Sequence, residues 1–278
     1  MTARAALLVL LSALLHAVWN ALVKQDKDAR SAGLGVLLVA TVVAAALTPF
    51  ARQAAFPGWA SLRWALGAGL FEGAYFVALG LALSRGPLGP LYTVARGGAM
   101  LVAWPISVFF LGEPFPWPAR VGVLLVGAGL ALASWRPREH ATAAGLGWAA
   151  MCALCIGGYH LCYKVSLSAG AEPRALFAVA LAFALPINMA SMGRNAWGGW
   201  LALRRSPLRI GVGGVTCTAS FILFLQALSL SGAGAVLTLR NTSVLFAQLL
   251  ALWAGELPKR HALGGAVLVV SGAVLLAQ

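Results

Sequence analysis

The sequence predicts an all-α membrane protein whose ten transmembrane helices form two inverted five-helix repeats. Composition is the first of three observations behind this prediction. Of the 278 residues, 61% are hydrophobic and 10% are charged, and mean hydropathy is +0.87. A soluble globular chain carries about 25% charged residues, so this chain has too little polar surface to cover a globule in water. The other two observations are a series of apolar segments and an internal duplication.

Ten apolar segments approach the length of about 20 residues that a membrane-spanning helix requires. Proline and tryptophan lie mainly at the predicted ends of these segments, and tryptophan is typical of membrane interfaces. In the first segment, Trp19 and Asn20 stand where a signal-peptide cleavage site would need small residues, so we expect a retained span. The predicted spans are 5–23, 31–50, 62–84, 87–111, 118–135, 143–163, 174–192, 208–230, 232–254 and 261–277.

The second half of the chain repeats distinctive residues of the first half in the same order. The matching pairs are Trp19 with Tyr159, Asn20 with His160, Lys24 with Lys164, Arg96 with Arg240, Gly112-Glu113 with Gly255-Glu256, Gly122 with Gly265 and Gly129 with Gly272. We therefore predict two repeats, residues 1–137 and 138–278. Five spans per repeat place the two copies in opposite orientations, and inverted repeats are common in secondary transporters, with the binding site at the repeat interface.

Three motifs point to one family. Each fourth predicted helix ends in a Gly-Glu turn, each fifth is rich in glycine, and the run 15–24 opens the chain with a polar stripe on an apolar helix. In these motifs the chain resembles the drug/metabolite transporter superfamily, and within it the two-repeat EamA-type members. The resemblance implies a transporter of the inner membrane rather than an enzyme, with no cofactor or metal and with both termini in the cytoplasm.

Ionisable residues inside the predicted spans are the candidate site, because such groups are costly in lipid unless paired or hydrated. Arg96 and Arg240 lie at matching positions in spans four and nine, and a guanidinium offers a fork of donors that fits a carboxylate or a phosphate. We expect them to contact a substrate, with contacts inside the bundle as the alternative. The other candidate substrate-binding residues are Asn20, His16, His160, Asn241, Gln248, Trp104 and Tyr159.

Glu72 is the one acidic residue well inside a predicted span. It is the candidate for proton coupling, because burial raises the proton affinity of a carboxylate. A structural ion pair is the alternative. His16, Asn20 and Lys24 share one helix face, and for Lys24 and Lys164 the alternative to a role in the cavity is snorkelling of the side chain to the membrane surface.

The net charge of +13 arises mainly from basic residues in the predicted loops. This pattern is typical of contacts with anionic lipid headgroups and does not indicate nucleic acid. Most of these residues fall on the side opposite the termini, so the positive-inside rule places the termini outside, whereas the resemblance implies the cytoplasm. Cys152 and Cys155 form a CxxC, but all four cysteines lie in apolar runs, so we expect packing rather than metal binding.

These observations predict a secondary transporter, in the export direction, of a small polar metabolite that is anionic or zwitterionic, such as an amino acid or an organic acid. Alternating access between the two repeats is the expected mechanism, in a monomer or a homodimer, with proton coupling as an option. The alternatives are a membrane-embedded flippase for a lipid carrier and the efflux of cationic drugs.

Overall fold

The computed structural model describes residues 1–51, 53–86, 88–112, 114, 116–133, 142–253 and 260–276. Over these ranges the chain is helical apart from short connections and contains no strand, which confirms the all-α class. The α-helices are α1 (Ala3–Lys24), α2 (Ala29–Leu47), α3 (Trp59–Leu83), α4 (Leu88–Leu111), α5 (Trp117–Ala133), α6 (Ala143–Ser168), α7 (Pro173–Met192), α8 (Gly198–Arg205), α9 (Pro207–Leu230), α10 (Ala233–Arg240), α11 (Ser243–Trp253) and α12 (Arg260–Leu276).

Seven of these helices are long and apolar enough to cross a membrane: α1 to α4, α6, α7 and α9. Helices α5 and α12 carry the shorter apolar stretches Trp117–Gly129 and Leu263–Gly272. Large apolar side chains such as Phe109, Leu124 and Val267 are exposed on the outside of the bundle, as lipid contact requires. The chain is therefore a multi-pass membrane protein, and the count of ten spans stays a prediction.

The ninth predicted span is not one continuous helix, and this corrects the interpretation of the stretch 232–254. Helix α10 ends at Arg240 and α11 begins at Ser243. The amides of Asn241 and Thr242 donate to carbonyls three residues back, each at 3.1 Å, which tightens the chain into a 3₁₀ turn. The Thr242 hydroxyl also donates to the Leu239 carbonyl, at 2.8 Å. Polar side chains that compete for the backbone favour such a break.

Helix α8 is a second departure from the sequence prediction, which placed a loop over 193–207. Its small residues face the protein, so that a Cβ on Gly199 would lie 2.9 Å from the backbone nitrogen of Gly35 on α2. Trp200 is exposed, and the Arg204 guanidinium lies 5.8 Å from the centre of its ring. An eight-residue helix with one apolar and one basic face is typical of the membrane interface.

The contacts between the two halves of the chain occur in matched pairs. Helix α3 packs against α6 and α7, whereas α9, its equivalent in the sequence repeat, packs against α1 and α2. Ser12 on α1 donates to the Ser220 carbonyl on α9 at 2.7 Å. At the equivalent place the Cys152 thiol on α6 lies 3.9 Å from the Tyr75 carbonyl on α3. Exchanging the two halves therefore maps one contact onto the other.

The α5–α12 contact is reciprocal. A Cβ on Gly129 would lie 2.6 Å from the Gly265 carbonyl oxygen, and a Cβ on Gly272 would lie 2.5 Å from the Gly122 carbonyl oxygen. Only glycine allows the two backbones to approach this closely. In the rest of the bundle, α1, α4, α6, α9 and α10 surround the interior space that contains the polar residues.

Candidate functional site

Two arginines from opposite halves of the chain meet one histidine in the interior of the bundle. Arg96 on α4 and Arg240 at the end of α10 are each 1% exposed, and His16 on α1 is fully buried. Arg96 Nη2 contacts His16 Nε2, and Arg240 Nη2 lies 3.5 Å from His16 Nδ1. Three helices thus bring two positive charges to one imidazole ring.

Aromatic rings position the Arg240 guanidinium. Its carbon lies 4.5 Å from the ring centre of Phe221 and 3.9 Å from that of Phe224. These two residues are three positions apart on α9, so they share a helix face. Cation–π contacts of this kind contribute about 2 kcal/mol when desolvated. Sequence analysis missed both phenylalanines, and their i, i+3 spacing opposite a buried arginine was the available signal.

His16 is surrounded by hydrogen-bond donors. The Trp19 indole donates from Nε1 to His16 Nδ1 at 3.2 Å, and the guanidiniums of Arg96 and Arg240 are also donors. A neutral imidazole has only one acceptor nitrogen, so the three donors compete for it. An anion between the two guanidiniums would supply further acceptors and remove this competition.

A narrow cavity of about 10 Å³ adjoins the arginines, and we refer to it as the arginine cavity. Its polar lining residues are Arg96, Arg240, His160 and Asn241, and its other walls are apolar. His160 is 4% exposed, and within the described residues neither of its ring nitrogens has a hydrogen-bond partner. The Asn241 side-chain nitrogen likewise has no partner among the described residues. Buried polar groups of this kind are expected to bind a ligand or water.

A second, apolar cavity of about 10 Å³ shares His160 and Leu237 with the arginine cavity. Its remaining walls include Ile106, Leu111 and Leu161. The two cavities together offer a charged end and an apolar end on either side of one imidazole.

Three other predicted residues lie around this site in different roles. Asn20 donates from Nδ2 to the His16 carbonyl at 2.7 Å, within α1. Tyr159 is fully buried, with its ring centre 4.5 Å from that of His160. Trp104 donates from Nε1 to the Thr238 hydroxyl at 3.2 Å, which links α4 to α10. The Gln248 side chain lies outside the described residues.

Glu72 on α3 is fully buried beside the same region. The Tyr163 hydroxyl donates to Glu72 Oε2, whereas Oε1 has no hydrogen-bond partner within the described ranges. The Tyr163 ring centre lies 5.5 Å from that of Tyr159, whose ring contacts His160 at the arginine cavity. Gly69 and Gly73 flank Glu72 and let α7 approach α3 closely. Sequence analysis missed Tyr163, although it lies one helix turn beyond Tyr159.

The two lysines of the repeated stripe have different surroundings. The Lys164 ammonium donates to the carbonyls of Leu228 and Ser231, at 3.0 and 2.8 Å. It therefore caps the end of α9 and does not snorkel, and a cation in this position interacts favourably with the helix dipole. Lys24 lies at the end of α1 and is partly exposed. Of the repeated Gly-Glu turns, Glu113, Gly255 and Glu256 lie outside the described residues.

A bundle of apolar helices around a buried polar cavity is the architecture of a membrane transporter. Residues 143–278 match the EamA-like transporter family, so the second half of the chain carries an EamA-like domain, which indicates a membrane transporter of the drug/metabolite type. A protein of known crystal structure is similar over 99% of this chain and 96% of its own, with a TM-score of 0.70 and 20% identity. At that identity the likeness shows the fold alone. No curated protein matches.

Proposed function

We propose that the chain is a secondary transporter, in the export direction, of a small anionic or zwitterionic metabolite such as an amino acid or an organic acid. One observation carries the proposal: Arg96 and Arg240 converge on His16 beside a cavity in the bundle interior. Guanidinium forks bind carboxylates through two parallel hydrogen bonds. A substrate carboxylate would take the place of the imidazole as their acceptor.

The charge balance of the interior favours an anion over a cation. Well inside the predicted spans the sequence holds Arg96, Arg240 and Glu72 as charged residues, so positive charge exceeds negative charge. Interactions between charges are strong in this low-dielectric environment. A cationic drug in the arginine cavity would meet two guanidiniums without water to screen them, which disfavours the drug-efflux alternative.

The paired contacts between the two halves support alternating access. The reciprocal glycine contacts of α5 with α12 and the matched contacts of α3 and α9 fit two inverted repeats that rock about the arginine cavity. The break after Arg240 lies at the cavity wall, and discontinuous helices commonly form transporter sites. Movement of α10 relative to α11 would change how Arg240 faces the two sides of the membrane.

Proton coupling through Glu72 is part of the proposal. Glu72 binds the Tyr163 hydroxyl, and the rings of Tyr163, Tyr159 and His160 follow one another to the wall of the arginine cavity. A substrate that contacts His160 would therefore be coupled to the protonation of Glu72 through these side chains. The Glu72→Gln variant is expected to keep transport down a substrate gradient and to lose its stimulation by a pH gradient.

Counterflow in proteoliposomes tests the main proposal. Vesicles loaded in turn with unlabelled alanine, glutamate, succinate or a quaternary ammonium compound would be assayed for uptake of the labelled counterpart. Arg96→Ala and Arg240→Ala are expected to lower the rate for at least one carboxylate by tenfold or more. Arg63→Ala is the matched control, because Arg63 is exposed near the start of α3. Wild-type rates in both buried variants, or transport of the quaternary ammonium compound alone, would overturn the proposal.

A further inference from the structure

A larger cavity, of about 30 Å³, lies apart from the site described above, and we call it the Arg30 cavity. Its lining includes Trp19, Arg30, Gly33, Phe76 and Asn188. These residues come from α1, α2, α3 and α7. Helices α1, α3 and α7 end, and α2 begins, on the same face of the bundle, so the cavity belongs to that face. Trp19 is five residues from the end of α1, which places it about 8 Å below the helix end.

Trp19 separates the Arg30 cavity from the arginine cavity. Its ring lines the Arg30 cavity, it is 1% exposed, and its ring centre lies 6.1 Å from that of Phe76. On its other side the indole donates to His16, which contacts Arg96 and Arg240. The Trp19 indole and the His16 imidazole therefore lie between the Arg30 cavity and the two arginines.

Arg30 lies across the mouth of the Arg30 cavity. It starts on α2, its side chain crosses α3 at Gly80, where a Cβ would lie 3.2 Å from Arg30 Cγ, and its Nη2 donates to the Ser191 carbonyl at 3.3 Å. Asp28 is the nearby acid, and its carboxylate accepts from the Ser31 hydroxyl and amide. Asp26, the other acid of this loop, binds Arg209. Both acids are charged, but the basic residues Lys24, Lys27, Arg30 and Arg209 outnumber them, so the net charge around the mouth is positive.

We propose that the Arg30 cavity is a vestibule of the transport path, that Arg30 concentrates anions at its mouth, and that Trp19 is the gate between this vestibule and the arginine cavity. This inference rests on the proposed function, because the proposed substrate site at Arg96 and Arg240 defines where the path from the vestibule leads. A positively charged mouth raises the local concentration of anions and their rate of entry. Removal of the indole would open the route to the arginine cavity.

Cysteine accessibility tests the vestibule and its charge preference. Gly33→Cys places a thiol in the Arg30 cavity, and a Cβ there meets nothing within 4 Å, whereas the four native cysteines are buried. Gly58→Cys, exposed at the start of α3 on the opposite face, is the control. An anionic methanethiosulfonate should modify the thiol at position 33 several-fold faster, relative to its cationic analogue, than it modifies the thiol at position 58. Arg30→Gln should abolish this preference at position 33 and leave position 58 unchanged.

Two results would overturn the vestibule. One is an unreactive thiol at position 33, and the other is a charge preference that Arg30→Gln leaves intact. Neither measurement requires transport. Wild-type counterflow rates in Arg96→Ala and Arg240→Ala would overturn the proposed function. The cysteine-labelling rates test the vestibule independently of that result.

The gate has its own test in sealed vesicles. Ala99→Cys places a thiol in the arginine cavity. Trp19→Ala should raise its modification rate tenfold or more from the membrane face that labels Gly33→Cys, and not from the face that labels Gly58→Cys. Trp19→Phe keeps an aromatic ring but loses the donor to His16, so it should give a smaller increase in this rate. It also provides a second test if the alanine variant does not fold. An unchanged rate at position 99 in both variants would refute the gate.

Discussion

Replacement of Gly129 by alanine tests the closest helix contact in the bundle. An added Cβ would lie 2.6 Å from the Gly265 carbonyl oxygen, whereas ordinary contacts of a Cβ begin near 3.4 Å. Helices α5 and α12 must therefore separate by about 0.8 Å at this point, and a close-packed interior resists such a shift. Overpacking of this kind typically destabilises a protein by about 1–3 kcal/mol.

Gly127→Ala is the matched control, because it lies on the same helix and its Cβ would meet nothing within 4 Å. Both variants gain the same helix propensity, roughly 1 kcal/mol relative to glycine. The difference in their free energies of unfolding therefore isolates the clash at Gly129. We expect Gly129→Ala to be less stable than Gly127→Ala by about 1–3 kcal/mol.

Titration with SDS in mixed micelles, followed by circular dichroism, measures these free energies. Gly272→Ala, which meets the Gly122 carbonyl oxygen in the equivalent contact, should cost as much as Gly129→Ala. The double variant should cost less than the sum, because one separation of α5 and α12 relieves both clashes. Equal stability of Gly129→Ala and Gly127→Ala would refute the reasoning.

Two further predictions concern hydrogen bonds. Ser220→Ala removes the hydroxyl that donates to the Ser12 carbonyl at 2.9 Å. We expect the free energy of unfolding in the same SDS titration to fall by about 0.6 kcal/mol. A fall no larger than that of the exposed Ser84→Ala would contradict this prediction. Asp28 caps α2 through Ser31, and although burial opposes ionisation, these hydrogen bonds hold the pKa of Asp28 below its usual value of 3.8. Its stabilisation is therefore complete above pH 3.8 and is lost as pH falls through the lowered pKa. The difference in melting temperature between the wild type and Asp28→Asn should therefore shrink as the pH falls over that range. A difference that stays constant from about pH 6 to about pH 3 would exclude this effect.

Site residues were predictable from sequence to the extent that their chemistry is unusual for their surroundings. Arg96, Arg240 and His16 were candidates because ionisable groups are rare and costly in apolar helices, and the structure brings them together. The contacts of Phe221 with Arg240 and of Trp19 with His16 were not predicted, because aromatic residues are common in any apolar helix. Their role follows from the rotation and depth of α9 and α1, which packing determines.

The ninth predicted span shows the same limit in the backbone. Most residues of 232–254 are apolar, but hydropathy measures transfer into lipid and not the continuity of hydrogen bonds. The four polar residues from Arg240 to Ser243 were visible, but only the surrounding helices show that the break lies at a cavity wall. A polar run inside a span therefore indicates a helix break as well as a binding site.

The sequence alone determined that the chain is a helical membrane protein, because apolar composition and segment length act locally and independently of the rest of the fold. It also determined which residues recur in the two halves. The tertiary structure decided which of these residues meet: Arg96 and Arg240 at His16, Glu72 at Tyr163, and Gly129 at Gly265. Such contacts join residues far apart in the chain, and the close packing of helices, which no local pattern encodes, sets their geometry.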